Sequence, residues 1–190
     1  MVHENVKMIA FVGMAGSGKS AAARYVKSKG VPAVYFGGIL YKAMEEAGVE
    51  VTPESQQRFR FEIREREGKD FVAKRALEEV HGLIGAGQKR IVLDGLYSWT
   101  EYRLFKREFP GEVMVVAMVP PKKARHHRLI HRKDRPFTQD EANQRDWSEI
   151  EDIEKGGPIA VADYYIVNDG PEEDTHLKID AVLKEIGFLD

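Results

Sequence analysis

Gly13-Met14-Ala15-Gly16-Ser17-Gly18-Lys19-Ser20 is the stretch on which the reading of this chain turns. It fits the spacing G-x-x-x-x-G-K-[ST]. Before it, Met8-Ile9-Ala10-Phe11-Val12 is a short apolar run that predicts a buried strand. After it, Ala21-Ala22-Ala23-Arg24-Tyr25-Val26 is a strong helix former. Strand, glycine turn and helix in that order separate a phosphate-binding loop from a chance match or a glycine turn that holds nothing.

The chemistry follows from the residue types. Glycines let the backbone curl without Cβ clashes, so successive N–H groups point inward at an anion. The helix that starts near Lys19 adds the positive end of its dipole and its unpaired N–H groups. Gly13, Ala15, Gly16, Ser17, Gly18, Lys19, Ser20 and Ala21 are therefore the expected phosphate cradle. Lys19 is placed to reach the β- and γ-phosphates, and the Ser20 hydroxyl to ligate Mg²⁺. The expected ligand is a nucleoside triphosphate, ATP with Mg²⁺.

Composition narrows the classes. The chain has 190 residues, 43% of them apolar and 32% charged, as in a folded globular protein with one hydrophobic core. Its 29 basic and 31 acidic residues nearly cancel, so a basic site must be local, which argues against bulk nucleic-acid binding. The absence of cysteine excludes disulfides and thiolate chemistry. No apolar run approaches the length of a membrane span, and the N-terminus lacks a signal-peptide core, so a cytoplasmic protein is expected.

Strand and helix alternate along the chain. Strands are predicted at Lys7–Val12, Val31–Phe36, Arg90–Leu93, Val113–Val119 and Tyr164–Val167. They are short and mostly non-alternating, as strands covered on both faces are, and the helices between them imply a parallel sheet. The expected fold is therefore a three-layer α/β/α phosphate-loop NTPase with a five-stranded parallel sheet. It is expected as one domain over 1–190, with a helical acceptor-side insert at about 52–86 and a short lid at about 122–136. Helix starts are marked by Thr52-Pro53, Ser98-Trp99-Thr100-Glu101 and Thr138-Gln139-Asp140-Glu141. Gly30, Gly48, Gly68 and Gly187 mark helix stops.

Four further constellations carry candidate chemistry. Ile91-Val92-Leu93-Asp94-Gly95 is an apolar strand ending in an acid. Asp94 is read as a second holder of the Mg²⁺ shell, the alternative being an ordinary Asp-Gly turn. In the arginine-rich tract 58–66 most residues read as surface partners of neighbouring glutamates, while Arg60 and Arg64 share a face suited to an anionic acceptor. Arg125, Arg128, Arg132 and Arg135 recur at helical spacing, a face fit for a transferring phosphoryl group or for open water. His127 and His131 in that stretch have the spacing of a metal pair but no third ligand beside them. Val167-Asn168-Asp169-Gly170 closes the last strand at the edge where a base would lie, or is a bare turn.

Taken together, these pieces resemble the small phosphate-loop kinases of nucleotides and related metabolites. More narrowly, the chain resembles dephospho-coenzyme A kinases and an archaeal group of adenylate-kinase-related proteins. The resemblance spans nearly the whole chain and rests on Gly13–Ser20, Glu62–Gly68, Leu93-Asp94-Gly95, Arg128-Leu129 with Arg132, and Ala162-Asp163-Tyr164 through Gly170. It implies that Arg128, Arg132 and Arg135 belong to the lid and that Asn168 to Gly170 lie against adenine. Two positions depart from the family. Relatives place an Asp just past the second strand, where this chain has Phe36-Gly37-Gly38. Adenylate-kinase-like chains also place an Arg shortly after the Asp-Gly, where this chain has Tyr97-Ser98.

The resulting expectation is a kinase that moves the γ-phosphoryl of ATP to a nucleotide-like acceptor, a nucleoside monophosphate or a dephospho-coenzyme A type. Lys19, Arg128, Arg132 and Arg135 are its candidate catalytic groups. The alternative is an ATP-binding regulator or slow NTPase whose acceptor site has decayed. A polynucleotide-end kinase is disfavoured by the near-neutral charge and the lack of interleaved aromatics in the basic tract. Lys19→Ala is expected to abolish nucleotide binding or turnover while leaving the circular dichroism spectrum native. Retained ATP affinity with unchanged activity overturns the reading.

Overall fold

The computed structural model of this protein describes residues 5–133 and 136–189. β1 (Lys7–Val12) enters the phosphate loop, and α1 (Lys19–Ser28) leaves it. β2 (Ala33–Tyr35) runs directly into α2 (Phe36–Glu46). α3 (Pro53–Glu67) and α4 (Phe71–Gly85) lead to β3 (Arg90–Asp94). Beyond it come α5 (Trp99–Glu108), β4 (Val113–Met118), α6 (Lys122–Ile130) and α7 (Gln139–Glu151). A short α8 (Gly156–Ala160), β5 (Tyr164–Ile166) and α9 (Glu172–Glu185) complete the order.

Among the described residues the five strands form one sheet in the order β2-β3-β1-β4-β5, and each neighbouring pair is parallel. β1 is central. Met8 lies opposite Ile91 of β3 on one side and Val113 of β4 on the other. Because side chains alternate along a strand, β1 feeds two cores. Met8, Ala10 and Val12 join α2, α3, α4 and α5 residues on one face, whereas Ile9 and Phe11 pack with Ala22, Ala23 and Val26 of α1 and Ile179 and Leu183 of α9. Both faces are thus covered, which is why the strands lack polar alternation. Each fully buried large apolar side chain contributes roughly 1.5–3 kcal/mol by area. The three-layer α/β/α arrangement matches the expected class.

Strand ends differ from expectation at the edges of the sheet. The strand expected at Val31–Phe36 shortens to Ala33–Tyr35, because this edge strand pairs only with β3 and Phe36 turns into the core as the first residue of α2. The tract expected as an acceptor-side insert does break into two helices at Gly68. Its second half is core, however: Phe71, Ala73, Ala76 and Val80 of α4 pack on the sheet. The arginine-rich α3 has no such stripe and buries only Phe59 and Ile63 among its described side chains.

All three helix starts are capped as read. Thr52 accepts from the Ser55 N–H, Ser98 from Glu101 and Thr138 from Glu141. The Ser98 box is the buried one, and Glu101 Oε2 also accepts from the N–H groups of Tyr97 and Ser98 at 2.7 and 3.0 Å. Ser98→Ala is expected to lower the unfolding free energy by about 1–2 kcal/mol in urea titrations.

Candidate functional site

The site grows from the C-terminal edge of the sheet, where ligands collect in open α/β folds. Val12 ends β1 at that edge, and Asp94 ends the adjacent β3, where it lies in register with Phe11. The loop between β1 and α1 has no room for side chains at its glycines. A Cβ on Gly16 would lie 2.6 Å from the Arg125 carbonyl oxygen, and one on Gly18 would collide with the Asn168 side-chain amide. Gly18 also has a φ of +93°, in the left-handed region. Ser17 N–H is spent on Met14 O at 3.1 Å, whereas the N–H groups of Gly16 and Gly18 donate to no group among the described residues. Lys19, Ser20 and Ala21 open α1, so their N–H groups have no acceptor one turn earlier within the helix. The loop is a cradle of unpaired donors.

A second set of contacts holds this cradle in place, and all of it comes from distant sequence. Ala15 N–H donates to Glu149 Oε2 of α7 at 2.8 Å. Glu149 is buried, and its Oε1 takes Arg145 Nε at 3.0 Å and pairs with the Lys155 ammonium. Burial alone would raise the Glu149 pKa, but Lys155, Arg145 and Lys19 hold it below the usual carboxylate range. Arg125 is buried too, where it pairs with both Asp146 oxygens at 2.7 and 2.9 Å and donates to the Ala15 carbonyl at 3.0 Å. His126 Nε2 shares Asp146 Oδ2 at 2.9 Å. Charge-assisted bonds of this kind contribute about 1.5–3 kcal/mol each, and stranding one partner of a buried pair costs about 3–5 kcal/mol.

The arginines expected to line one helix face divide at this point. α6 stops at Ile130 with His131 as its cap, so Arg132 is off the helix and lies over the Phe137 ring at 4.4 Å. Arg128 donates to the carbonyls of Gly16 (3.3 Å) and Asn168 (2.8 Å). The first two arginines of the series thus brace the phosphate loop, because α6 packs beside it. Arg135 and the side chain of Arg60 lie outside the described residues. Arg64 reaches the Asp152 carbonyl at 3.5 Å.

Asn168 is engaged as well. Its amide donates to Ser17 O at 2.9 Å and accepts from Thr175 Oγ1 at 2.9 Å, which clips the loop after β5, and with it Gly170, to the phosphate loop. His127 and His131 stack on each other with centroids 4.1 Å apart, and no cluster of three metal-ligating side chains occurs among the described residues.

Lys19 is half-buried, with Nζ 3.4 Å from the Met14 carbonyl. Burial lowers its pKa, and Arg145 and Arg125 add to that effect while Glu149 and Asp94 oppose it. Burial raises the Asp94 carboxyl, with Lys27, Arg24 and Lys19 opposing. Two cations meet the Tyr97 ring: Lys19 Nζ is 5.8 Å and Lys155 Nζ 4.7 Å from its centroid. Burial pushes the Tyr97 phenol far above its ordinary value. At the end of β2, the ring of Tyr35 lies against Gly37 and Gly38, where a Cβ would come within 2.7 and 2.8 Å of ring carbons. A side chain at either position would displace that exposed phenol. A surface groove of about 660 Å³ beside Gly38, Tyr41, Lys42 and Glu45 contains no phosphate-loop residue.

Sequence reasoning missed Arg145, Asp146, Glu149, Lys155 and the placement of Tyr97. Arg145 and Glu149 look like any i,i+4 surface pair. The signal that could have found them is the polarity of α7, whose few apolar residues leave no ordinary core face; burial of its carboxylate is a tertiary fact.

Comparison with known proteins agrees with this architecture. Residues 9–154 match a family model described as an AAA domain. The chain is 35% identical over 182 residues to a UPF0200 protein of Thermococcus onnurineus, covering 94% of this chain and 97% of the other. It belongs to that family of phosphate-loop proteins. Among solved structures it is similar to shikimate kinase from Acinetobacter baumannii, with a TM-score of 0.58 and 20% identity over 96% of this chain and 95% of that one. It is also similar to the dephospho-CoA kinase of Campylobacter jejuni, with a TM-score of 0.54 and 17% identity over 96% of this chain and 98% of that one. The fold is that of phosphate-loop kinases.

Lys155 makes the site pH-sensitive. Burial, with help from Lys19 and Arg145, lowers its pKa from 10.5 to about 7 against the pull of Glu149. Between those values the unfolded chain holds a proton that the folded chain has lost, so stability rises with pH. Relative to Lys155→Met, the wild-type chain is expected to gain stability from pH 7 to 9, by at most ~1.4 kcal/mol per pH unit. Urea titrations of both proteins at each pH check this.

Proposed function

We propose that this protein binds ATP with Mg²⁺ at the phosphate loop and transfers the γ-phosphoryl group to a small acceptor, nucleotide-like and bearing a hydroxyl or phosphate. The observation that carries this reading is the cradle itself: unpaired N–H groups at Gly16, Gly18 and the start of α1, with Lys19 beside them and Asp94 at the same sheet edge. The residues fit the ligand. Side chains are excluded at the glycines, and the charge facing the loop is mainly positive. Like kinases of this fold, the protein is read as one domain in which α3 walls the acceptor side. The first part of the lid read at about 122–136 is α6, which Arg128 holds against the phosphate loop.

In this reading the N–H groups of Gly16, Gly18, Lys19, Ser20 and Ala21 hold the phosphates, and Lys19 bridges toward the γ-phosphate. Ser20 and Asp94 would hold Mg²⁺, which supplies charge neutralisation at the β- and γ-oxygens when bound. Arg128 keeps the loop and the segment around Asn168 in register, on the side where the base would lie. Tyr35 and Tyr97 line the approach of the acceptor. Phosphoryl transfer leans on positioning and charge rather than on covalent help from the protein, so glycines in place of an acid at 37–38 do not preclude it. The reading also puts the protein in the cytoplasm, where such substrates are; among the described residues no helix is long and apolar enough to cross a membrane.

The same two glycines, with Tyr35 laid over them, favour a second reading: an ATP-binding regulator or slow NTPase. Steady-state ADP release, measured with nucleoside monophosphates, dephospho-coenzyme A and shikimate-like alcohols, separates the two. We expect at least one acceptor to raise the rate about tenfold or more above the acceptor-free rate, as a positioned second substrate does. If none raises it, transfer is overturned and the slow NTPase stands.

A further inference from the structure

Three cations meet at one carboxylate beside the phosphate loop. Lys155 and Arg145 pair directly with Glu149, and Lys19 acts electrostatically on both Glu149 and Lys155. Asp94, its own ionisation disfavoured by burial, is the other carboxylate acting on Lys19. Glu149 is thus the one carboxylate among the described residues in direct contact with this group of cations, while Asp94 acts on Lys19, and the buried Glu101 on Lys155, from further off. Like charges gathered this closely are costly unless a further anion joins them, and ionisable clusters of this kind concentrate at functional sites.

The backbone is shaped to bring Lys155 there. α7 ends at Glu151, and Glu154 then takes a φ of +60°, uncommon for a residue with a side chain. This left-handed turn folds the chain back so that Lys155 N–H bonds the Glu149 carbonyl at 3.0 Å while its ammonium meets the Glu149 carboxylate. The turn is tied from outside by Arg64 on the Asp152 carbonyl and by Lys69 on Glu154 at 3.5 Å. An ammonium has three donors. Glu149 takes one, and the Tyr97 ring, which Lys19 also faces, lies under the head group. A structural lysine at a helix start has no need of a strained turn, burial and a second lysine on the same ring.

Resting on the reading that a nucleoside triphosphate occupies the phosphate loop, we propose that Lys155 is a second phosphate-binding lysine, oriented by Glu149 and directed with Lys19 at the terminal phosphate. Glu149 is its positioning residue: one oxygen fixes the loop through Ala15, and the other aims the cations. The Lys155 pKa, lowered first by burial and then by Lys19 and Arg145, is one that a phosphate beside it would raise.

The test compares MgATP and MgADP binding by calorimetry for the wild-type chain, Lys155→Met and Lys155→Arg, with thermal melting as the folding check. Losing a charge-assisted contact to the terminal phosphate is expected to weaken MgATP binding about tenfold or more. MgADP binding should change by less than about threefold, and Lys155→Arg should restore most of the preference for ATP. Lys155→Gln, which keeps a donor for Glu149 and removes only the charge, carries the test if the Met variant melts early. Equal losses for both nucleotides, or no loss for either, overturn the role of Lys155 and leave the triphosphate reading intact. A wild-type chain that binds neither nucleotide overturns both.

Discussion

The Glu149 carboxylate, buried against the backbone N–H of Ala15, is the contact on which the site depends. A loop built from glycines has no side chains to hold its own shape, and its inward N–H groups gain nothing until an anion arrives. Its geometry must be imposed from outside. Glu149 does this from α7, Arg125 and Arg128 from α6 through the carbonyls of Ala15 and Gly16, and Asn168 from the end of β5 through Ser17. Three of these contacts go to loop carbonyls, whereas that of Glu149 takes the N–H of Ala15, a donor expected for phosphate. Cost and purpose meet here: buried ion pairs add little net stability, but they fix a geometry that the apolar cores on either side of the sheet do not reach.

This support gives the basic residues of α6 and α7 different work from the one their spacing suggests. A row of arginines at helical intervals looks like a mobile face meant for phosphate. In the fold, Arg125 is neutralised by Asp146 and Arg128 is spent on two carbonyls, while Arg132 has left the helix for Phe137. The cations that act on Lys19 are Arg145 and Arg125, with Lys155 beyond them on the Tyr97 ring. At the end of β2, the ring of Tyr35 lies in the space that a side chain at Gly37 or Gly38 would take. Where kinase relatives carry an acid, this chain has two glycines beneath an exposed phenol.

The amino-acid sequence by itself determined the phosphate loop, the alternation of strands and helices, the three capped helix starts and the acid at the end of β3. These are short-range features. A glycine spacing, an apolar run or a capping box acts through residues within one or two turns, so its meaning survives without the rest of the chain. Strand ends at the sheet edge were less legible, since the last residue of β2 depends on what β3 offers it. Tertiary structure alone decided which charges share the loop. Glu149 is 134 residues from Ala15, and nothing local tells a buried Arg145–Glu149 pair from a solvated one. Nor did any pattern show that the left-handed turn at Glu154 would carry Lys155 to the Tyr97 ring. Burial and charge balance are properties of the assembled interior, and so the loop could be read from eight residues while its surroundings needed the whole fold.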